Sequence, residues 1–182
     1  MRKNAIIGVI VLLLGVLLSV VPASADSSYI VFKGGYYSRT SGGFENADMS
    51  GNSYWEIASG TDFMRFFGVE LAAGYLQSDN SKIDVYVVPV TLSGKLQFPI
   101  LFFVPYLKAG GGAYYTNGDS RTGQGSDSTW AWGYQGGGGI DFRVGPLILG
   151  VEAKYLAVDA SLKMGDVKVE GVITTGNIGF RF

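Results

Sequence analysis

From residue 26 onward, apolar side chains recur at every second position, in segments of about 11 to 17 residues separated by turn-forming and polar residues. A period of two belongs to the β-strand, whose successive side chains point to opposite faces. No stretch of this region stays apolar for the ~20 residues that a membrane-crossing helix needs. Eight strands are expected, over residues 29–39, 51–61, 65–77, 82–98, 103–116, 128–143, 146–158 and 169–182. The connections alternate in kind. Those after the first, third, fifth and seventh strands are polar (40–50, 78–81, 117–127 and 159–168), and those after the second, fourth and sixth are short (62–64, 99–102 and 144–145). Sequential antiparallel strands with both termini at the short-turn end account for that alternation.

Sorting by parity separates two faces. In the third segment Phe67, Val69, Leu71, Ala73 and Tyr75 share one face, and Gly68, Glu70, Ala72 and Gly74 the other. In the last, Val172, Thr174, Gly176, Ile178, Phe180 and Phe182 oppose Ile173, Thr175, Asn177, Gly179 and Arg181. A soluble sheet would also alternate, so the ends of the apolar face must decide the solvent. With antiparallel strand directions, ten of the eleven Phe fall near the short-turn end, Phe44 excepted, whereas all Trp and most Tyr, Tyr37, Tyr54 and Tyr114 among them, fall toward the other. Ring side chains prefer the headgroup level of a bilayer, so two such girdles flanking an aliphatic band mark two membrane interfaces. A general preference of aromatics for strands would not separate Phe from Tyr and Trp. In lipid no sheet edge can be left open, so the first strand must pair with the last. The expected fold is all-β: an eight-stranded antiparallel up-and-down transmembrane β-barrel. Pro89 is the one local conflict, because a mid-strand proline removes a ladder hydrogen bond, and a β-bulge there is expected to absorb it.

Residues 1–25 form a separate unit. Arg2 and Lys3 precede an apolar run over 5–21, and Pro22-Ala23-Ser24-Ala25 supplies an A-x-A cleavage pattern. This is a secretory signal peptide by its plan, and it leaves residues 26–182 as a single barrel domain, exported to the cell outer membrane of a Gram-negative cell. Removing Arg2 and Lys3 takes the 14 Lys/Arg to 12 against 15 Asp/Glu. That mild acidity argues against nucleic acid, which selects a clustered basic face. The chain has no Cys and no His. Disulfides, thiolate chemistry and histidine general-base catalysis are therefore excluded.

The C-terminal Gly176-Asn177-Ile178-Gly179-Phe180-Arg181-Phe182, the Ala23-Ser24-Ala25 site and the eight alternating segments together resemble the small outer-membrane β-barrel family that includes the OmpA transmembrane domain and OmpX-type proteins. The resemblance covers the whole exported part. It implies that Ile178, Phe180 and Phe182 form the signal read by the barrel-assembly machinery. The outer-membrane barrel enzymes known by family use histidine in their active sites, and this chain has none, so they are not models for it. The cell-wall-binding domain of full-length OmpA-type proteins is not expected after Phe182.

Inward-facing charges are expected at Lys33, Glu56, Glu70, Lys95, Lys108, Asp141, Arg143, Glu152, Lys154 and Arg181, six cations against four anions. An eight-stranded barrel has room for side chains but little for a channel, and isolated buried charge is costly, so a paired network filling the lumen is expected. Gly110–Gly112 and Gly136–Gly139 fall mid-strand with no following helix, which fits barrel curvature and not a phosphate loop. Asp119 with Asp127 could in principle do acid–base work as a carboxylate pair, but they read as part of a solvated loop; Asp79 with Asp84, or Asp159 with Asp166, could offer oxygens to Ca²⁺, but their spacing matches no compact calcium loop. No cofactor is expected. The expected partners are outer-membrane lipid and the assembly machinery, with the protein a monomer. The expected function is non-enzymatic: a structural or surface-interaction role through extracellular loops, with 44–46 and 121–127 as the contact surface and the extracellular ligand unassigned. The alternative is a narrow transport barrel for small or apolar solutes, which a lateral opening or a continuous apolar lumen would favour.

Overall fold

A computed structural model describes residues 27–39, 53–80, 83–120, 127–162 and 165–182, with side chains over 27–38, 53–77, 87–115, 130–158 and 170–182. The strands are β1 (Ser27–Arg39), β2 (Ser53–Phe63), β3 (Phe67–Asn80), β4 (Ile83–Gln97), β5 (Phe103–Ser120), β6 (Asp127–Val144), β7 (Leu147–Leu162) and β8 (Gly165–Arg181). Each pairs with its sequence neighbours, and β1 pairs antiparallel with β8, closing the barrel.

The strand pairing fixes the shape. Stepping from Ser27 across paired residues passes Asp62, Gly68, Lys95, Lys108, Gly137, Lys154 and Ile173, and re-enters β1 at Tyr37, ten residues further along. That stagger, at ~3.3 Å per residue along a strand and ~4.8 Å between strands, tilts the strands by about 40° from the barrel axis. The short turns are tight. Gly145, at φ 59°, precedes Pro146 in the two-residue turn between Val144 and Leu147, the II′ pattern. Met64 (φ 49°) and Leu101 (φ 56°) hold left-handed backbone in the other two turns, an uncommon conformation for bulky residues.

The two faces separate by parity. Val69, Leu92, Leu107, Val151 and Ile178 project outward and are exposed, whereas Glu70, Thr91, Lys108, Glu152 and Asn177 on the same strands are buried inside. Nine outward-facing Phe, among them Phe67, Phe103, Phe142 and Phe180, ring the short-turn end. Phe102, Phe103 and Phe142 stack in series at 4.4 and 4.8 Å. Tyr36, Trp130, Trp132 and Tyr134 are exposed toward the long-loop end, with Trp130 against Tyr115 at 5.3 Å. The band between the rings is aliphatic apart from Phe32 and the Trp55 it stacks on.

Four expectations need correction. Strands β5, β7 and β8 extend beyond the expected limits: residues 159–162 pair with 165–168, so most of the polar connection expected at 159–168 is ladder. Polar composition marks where a strand leaves hydrocarbon, not where it ends. Pro89 causes no bulge. The β3–β4 register is the same on both sides of it, from Ala73↔Val90 to Leu76↔Val87, and pairing lapses only across the two intervening positions. Pro89 still pairs with Tyr114 of β5, so its missing N–H falls on the β3 side. Tyr37, Tyr54 and Tyr114 belong to the lumen and not to the outer ring, because each shares parity with an inward charge or is buried beside one. Phe32 pairs with Ile57 and Ile178 well inside the band and stacks on Trp55 at 5.6 Å, away from the Phe ring. Phe44 lies outside the described residues.

An outward arginine in the aliphatic band meets hydrocarbon, and one in the outer ring meets headgroups. Val151→Arg is expected to cost about 2–4 kcal/mol and Trp132→Arg about 0–1 kcal/mol of the charge penalty, measured by equilibrium urea unfolding in phospholipid vesicles. Equal costs at both positions would contradict the assigned band.

Candidate functional site

The candidate site is the barrel interior, built in layers by the inward parity of all eight strands. At its centre three lysines meet three glutamates. Lys33 Nζ lies 2.7 Å from Glu70 Oε1, 3.0 Å from Glu56 Oε1 and 3.1 Å from Glu152 Oε2. Lys108 Nζ bridges Glu70 and Glu152 at 2.9 and 2.8 Å, and Lys154 Nζ reaches Glu56 Oε2 at 2.5 Å. Tyrosines satisfy further carboxylate lone pairs. Tyr29 donates to Glu70 at 3.1 Å, Tyr106 to Glu152 at 2.8 Å, and Tyr54 to Glu56. All six charged side chains are essentially buried.

Below this layer, toward the short turns, Lys95 Nζ pairs with Asp141 Oδ2 at 2.9 Å and sits over the Tyr106 ring at 3.8 Å. Lys95 and Lys108 are direct cross-strand partners on one face, an arrangement that repels. It is tolerated here because each lysine has its own carboxylate. Lower still, Arg143 forks, with Nη1 on Asp62 Oδ2 at 3.2 Å and Nη2 on Gln97 Oε1 at 2.7 Å. Above the centre, Gln135 donates to Thr91 and Ser93 at 3.1 and 3.0 Å. An apolar layer that includes Tyr37, Leu76, Val87, Tyr114, Leu156, Val158 and Ile173 then fills the lumen toward the long loops.

Inward glycines make room for this packing. A Cβ at Gly112 or Gly137 would run into the carbonyl oxygen of Val90 or Ala153 on the neighbouring strand. The glycine runs of β5 and β6 therefore permit a close backbone approach where the long inward side chains crowd the lumen.

No protein-family model matches the chain, and no curated protein does. Solved structures do. The N-terminal β-barrel domain of Pseudomonas aeruginosa OprF matches at TM-score 0.58 and 14% identity, over 87% of this chain and 98% of that one. Neisserial surface protein A matches at TM-score 0.64 and 13% identity, over 85% and 95%. Ail, the attachment invasion locus protein of Yersinia pestis, matches at TM-score 0.57 and 19% identity, over 86% and 98%. The chain has the fold of the small outer-membrane β-barrels.

Within this outer-membrane barrel fold, nine of the ten expected lumen charges sit in the ion-pair layers: Lys33, Glu56, Glu70, Lys95, Lys108, Asp141, Arg143, Glu152 and Lys154. Arg181 does not. It shares their parity, but as the last residue of β8 it lies exposed at the short-turn mouth. Asp62 takes a place in the network that the sequence reading did not give it, as the partner of Arg143. The signal is present, since Asp62 continues the inward parity of Glu56, Ala58 and Gly60, but the expected strand ends at 61, two residues short of Phe63. The described lumen thus balances five cations against five anions. Ile178, Phe180 and Phe182 all face outward and are exposed. The expected contact residues 44–46 and 121–126 lie outside the described residues, as do the side chains of Asp79, Asp84, Asp119, Asp127, Asp159 and Asp166.

Removing one partner of a buried pair leaves the other charge uncompensated. Lys33→Met takes one lysine contact from each of three glutamates and leaves the buried layer one positive charge short; it is expected to cost about 3–5 kcal/mol, and adding Glu70→Gln is expected to recover about 0.5–3 kcal/mol of it. Urea titration of the refolded variants measures both. A Lys33→Met barrel as stable as the parent would contradict the network.

Proposed function

We propose that this chain is a non-enzymatic protein of the outer membrane, exported by residues 1–25 and inserted as a monomer. In this reading its short turns face the periplasm and its long loops act outside the cell. The observation that carries the reading is the filled lumen. Five paired cations and anions occupy the centre and lower half, and an apolar layer occupies the upper half, so the interior serves as a rigid support for the loops. Binding commonly resides on loops held by such a scaffold. Among proteins of the same fold, Ail has been solved in complex with the heparin analogue sucrose octasulfate. The outward Ile178, Phe180 and Phe182 support recognition by the barrel-assembly machinery, since they present an apolar edge on the final strand.

Two measurements test this reading. Purified protein in planar bilayers is expected to give no large, steady conductance, and robust channel openings would overturn the filled lumen. Cells displaying the protein are expected to adhere to immobilised heparin or to an epithelial cell layer, and to lose adhesion when 44–46 and 121–126 are replaced by Gly-Ser. Unchanged adhesion after loop replacement would overturn the loop assignment.

One observation favours the second reading, transport of apolar solutes. The lapse in β3–β4 pairing at Pro89 adjoins Leu76 and Val87, both members of the upper apolar layer. A side exit from that layer into lipid would pass there. In that reading Pro89→Val, which returns an N–H to the ladder, is expected to abolish uptake of a long-chain alkane by cells expressing the protein. Uptake identical in the variant and the parent would remove this route. The charged centre below the layer rules against a continuous apolar path through the barrel.

A further inference from the structure

The short-turn mouth opens into a vestibule of about 330 Å³, lined by Ser27, Asp62, Arg65, Gln97, Arg143 and Arg181 among others. Its charge is uneven. Arg143 is matched by Asp62, but Arg65 and Arg181 are exposed and no carboxylate among the described residues pairs with either. The charges lining the cavity therefore sum to an excess of two positive charges, beside a lumen that is itself balanced.

The second observation lies deeper. The Arg143 side chain is only 10% exposed, and both its Nη atoms are engaged, yet its Nε is buried without a hydrogen-bond partner. Ser27 and Asp62 line the same cavity, and Ser27 Oγ and Asp62 Oδ1 are also buried and unpartnered. A buried polar atom left unpaired is costly, and three of them on residues that line one cavity define a set of partners to be supplied. Arg143 Nε needs an acceptor. Asp62 Oδ1 needs a donor. Ser27 Oγ takes either role. Two exposed guanidiniums stand at the rim, suited to planar recognition of carboxylate or phosphate oxygens.

We propose that the vestibule is a binding site for an oxyanion that carries its own hydrogen-bond donor. Its oxygens accept from Arg143 Nε and from Arg65 and Arg181, and its O–H donates to Asp62 Oδ1. A monohydrogen phosphate, free or as a monoester, has this chemistry, and so does an α-hydroxycarboxylate. A sulfate has the charge but at neutral pH lacks the proton. A cavity of this volume falls at the lower end of small-ligand pockets, which limits the ligand to a group of this kind with a small substituent. The site lies at the end opposite the long loops, so it is independent of the surface role proposed above.

The test uses the full exported chain refolded in phospholipid nanodiscs, with arginine Nε sites labelled for NMR. Inorganic phosphate, lactate and sulfate are titrated separately at pH 7 and constant ionic strength. Phosphate, lactate or both are expected to move the Arg143 Nε resonance saturably, with sulfate at least about tenfold weaker, a difference of about 1.4 kcal/mol. Saturation by phosphate alone assigns the phosphate class, and saturation by lactate alone the hydroxy-acid class. Arg65→Gln with Arg181→Gln, at two exposed positions outside the ion-pair layers, is expected to weaken binding while heat-modifiable gel migration stays that of the folded barrel. Arg65→Gln alone replaces the double variant if that one fails to fold. No saturable shift with either ligand would leave only water in the vestibule and overturn the proposal. So would equal affinity for sulfate, or undiminished affinity in the folded variant.

Discussion

A peptide N–H or C=O that faces hydrocarbon has no water to bond to, and each one left unpaired costs several kcal/mol. The rest of this structure depends on that constraint. It requires β1 to find β8, so the sheet must close, and closing eight strands with a ten-residue stagger leaves a narrow interior. The outward face must then be apolar between two headgroup levels, which the Phe ring and the Tyr/Trp ring mark. The one lapse in the described β3–β4 ladder sits where proline has no N–H to offer. The chain absorbs it without shifting register, because the ladder to β5 is intact on the other side.

The same closure determines the interior. Lipid takes the apolar side chains, so half of every strand must turn inward, and a narrow lumen must be filled. Charge there is costly unless it is paired and hydrogen-bonded. The central Lys33, Lys108 and Lys154 each touch more than one carboxylate, and Tyr29, Tyr54 and Tyr106 bond to the same glutamates. With charges shared in this way, no single lysine–glutamate contact carries the network alone. Neutrality of the described lumen, five against five, follows from the same cost. Among the described residues, unpaired positive charge lies at the mouth, where Arg65 and Arg181 reach water.

Much of this was legible in the sequence because a strand in a barrel has a single parity. All eight strands, their order, and the inward placement of nine of the charges follow from which residues share a face with Glu70 or Lys108. The misreadings have definite physical causes. Tyr37, Tyr54 and Tyr114 were placed in the outer ring because axial position was weighed above parity, although Tyr114 shares parity with Lys108 and Tyr54 with Glu56. Asp62 was assigned to a turn because strand ends are not marked by polarity at a water interface, and the same cause shortened β7 and β8. Arg181 has the correct parity but lies at the rim, and parity carries no information on depth. The pairings themselves depend on the stagger, which is a property of closure around all eight strands and not of any one segment.

The whole arrangement depends on closure, with β1 meeting β8 in one register. Interstrand NOEs in the lipid-refolded protein test it directly. Contacts are expected between Phe32 and Ile178, Lys33 and Asn177, and Gly34 and Gly176, with the amides of this seam exchanging as slowly as those between β6 and β7. Absence of those contacts, together with seam amides that exchange as fast as an exposed strand edge, would show an open sheet and contradict it.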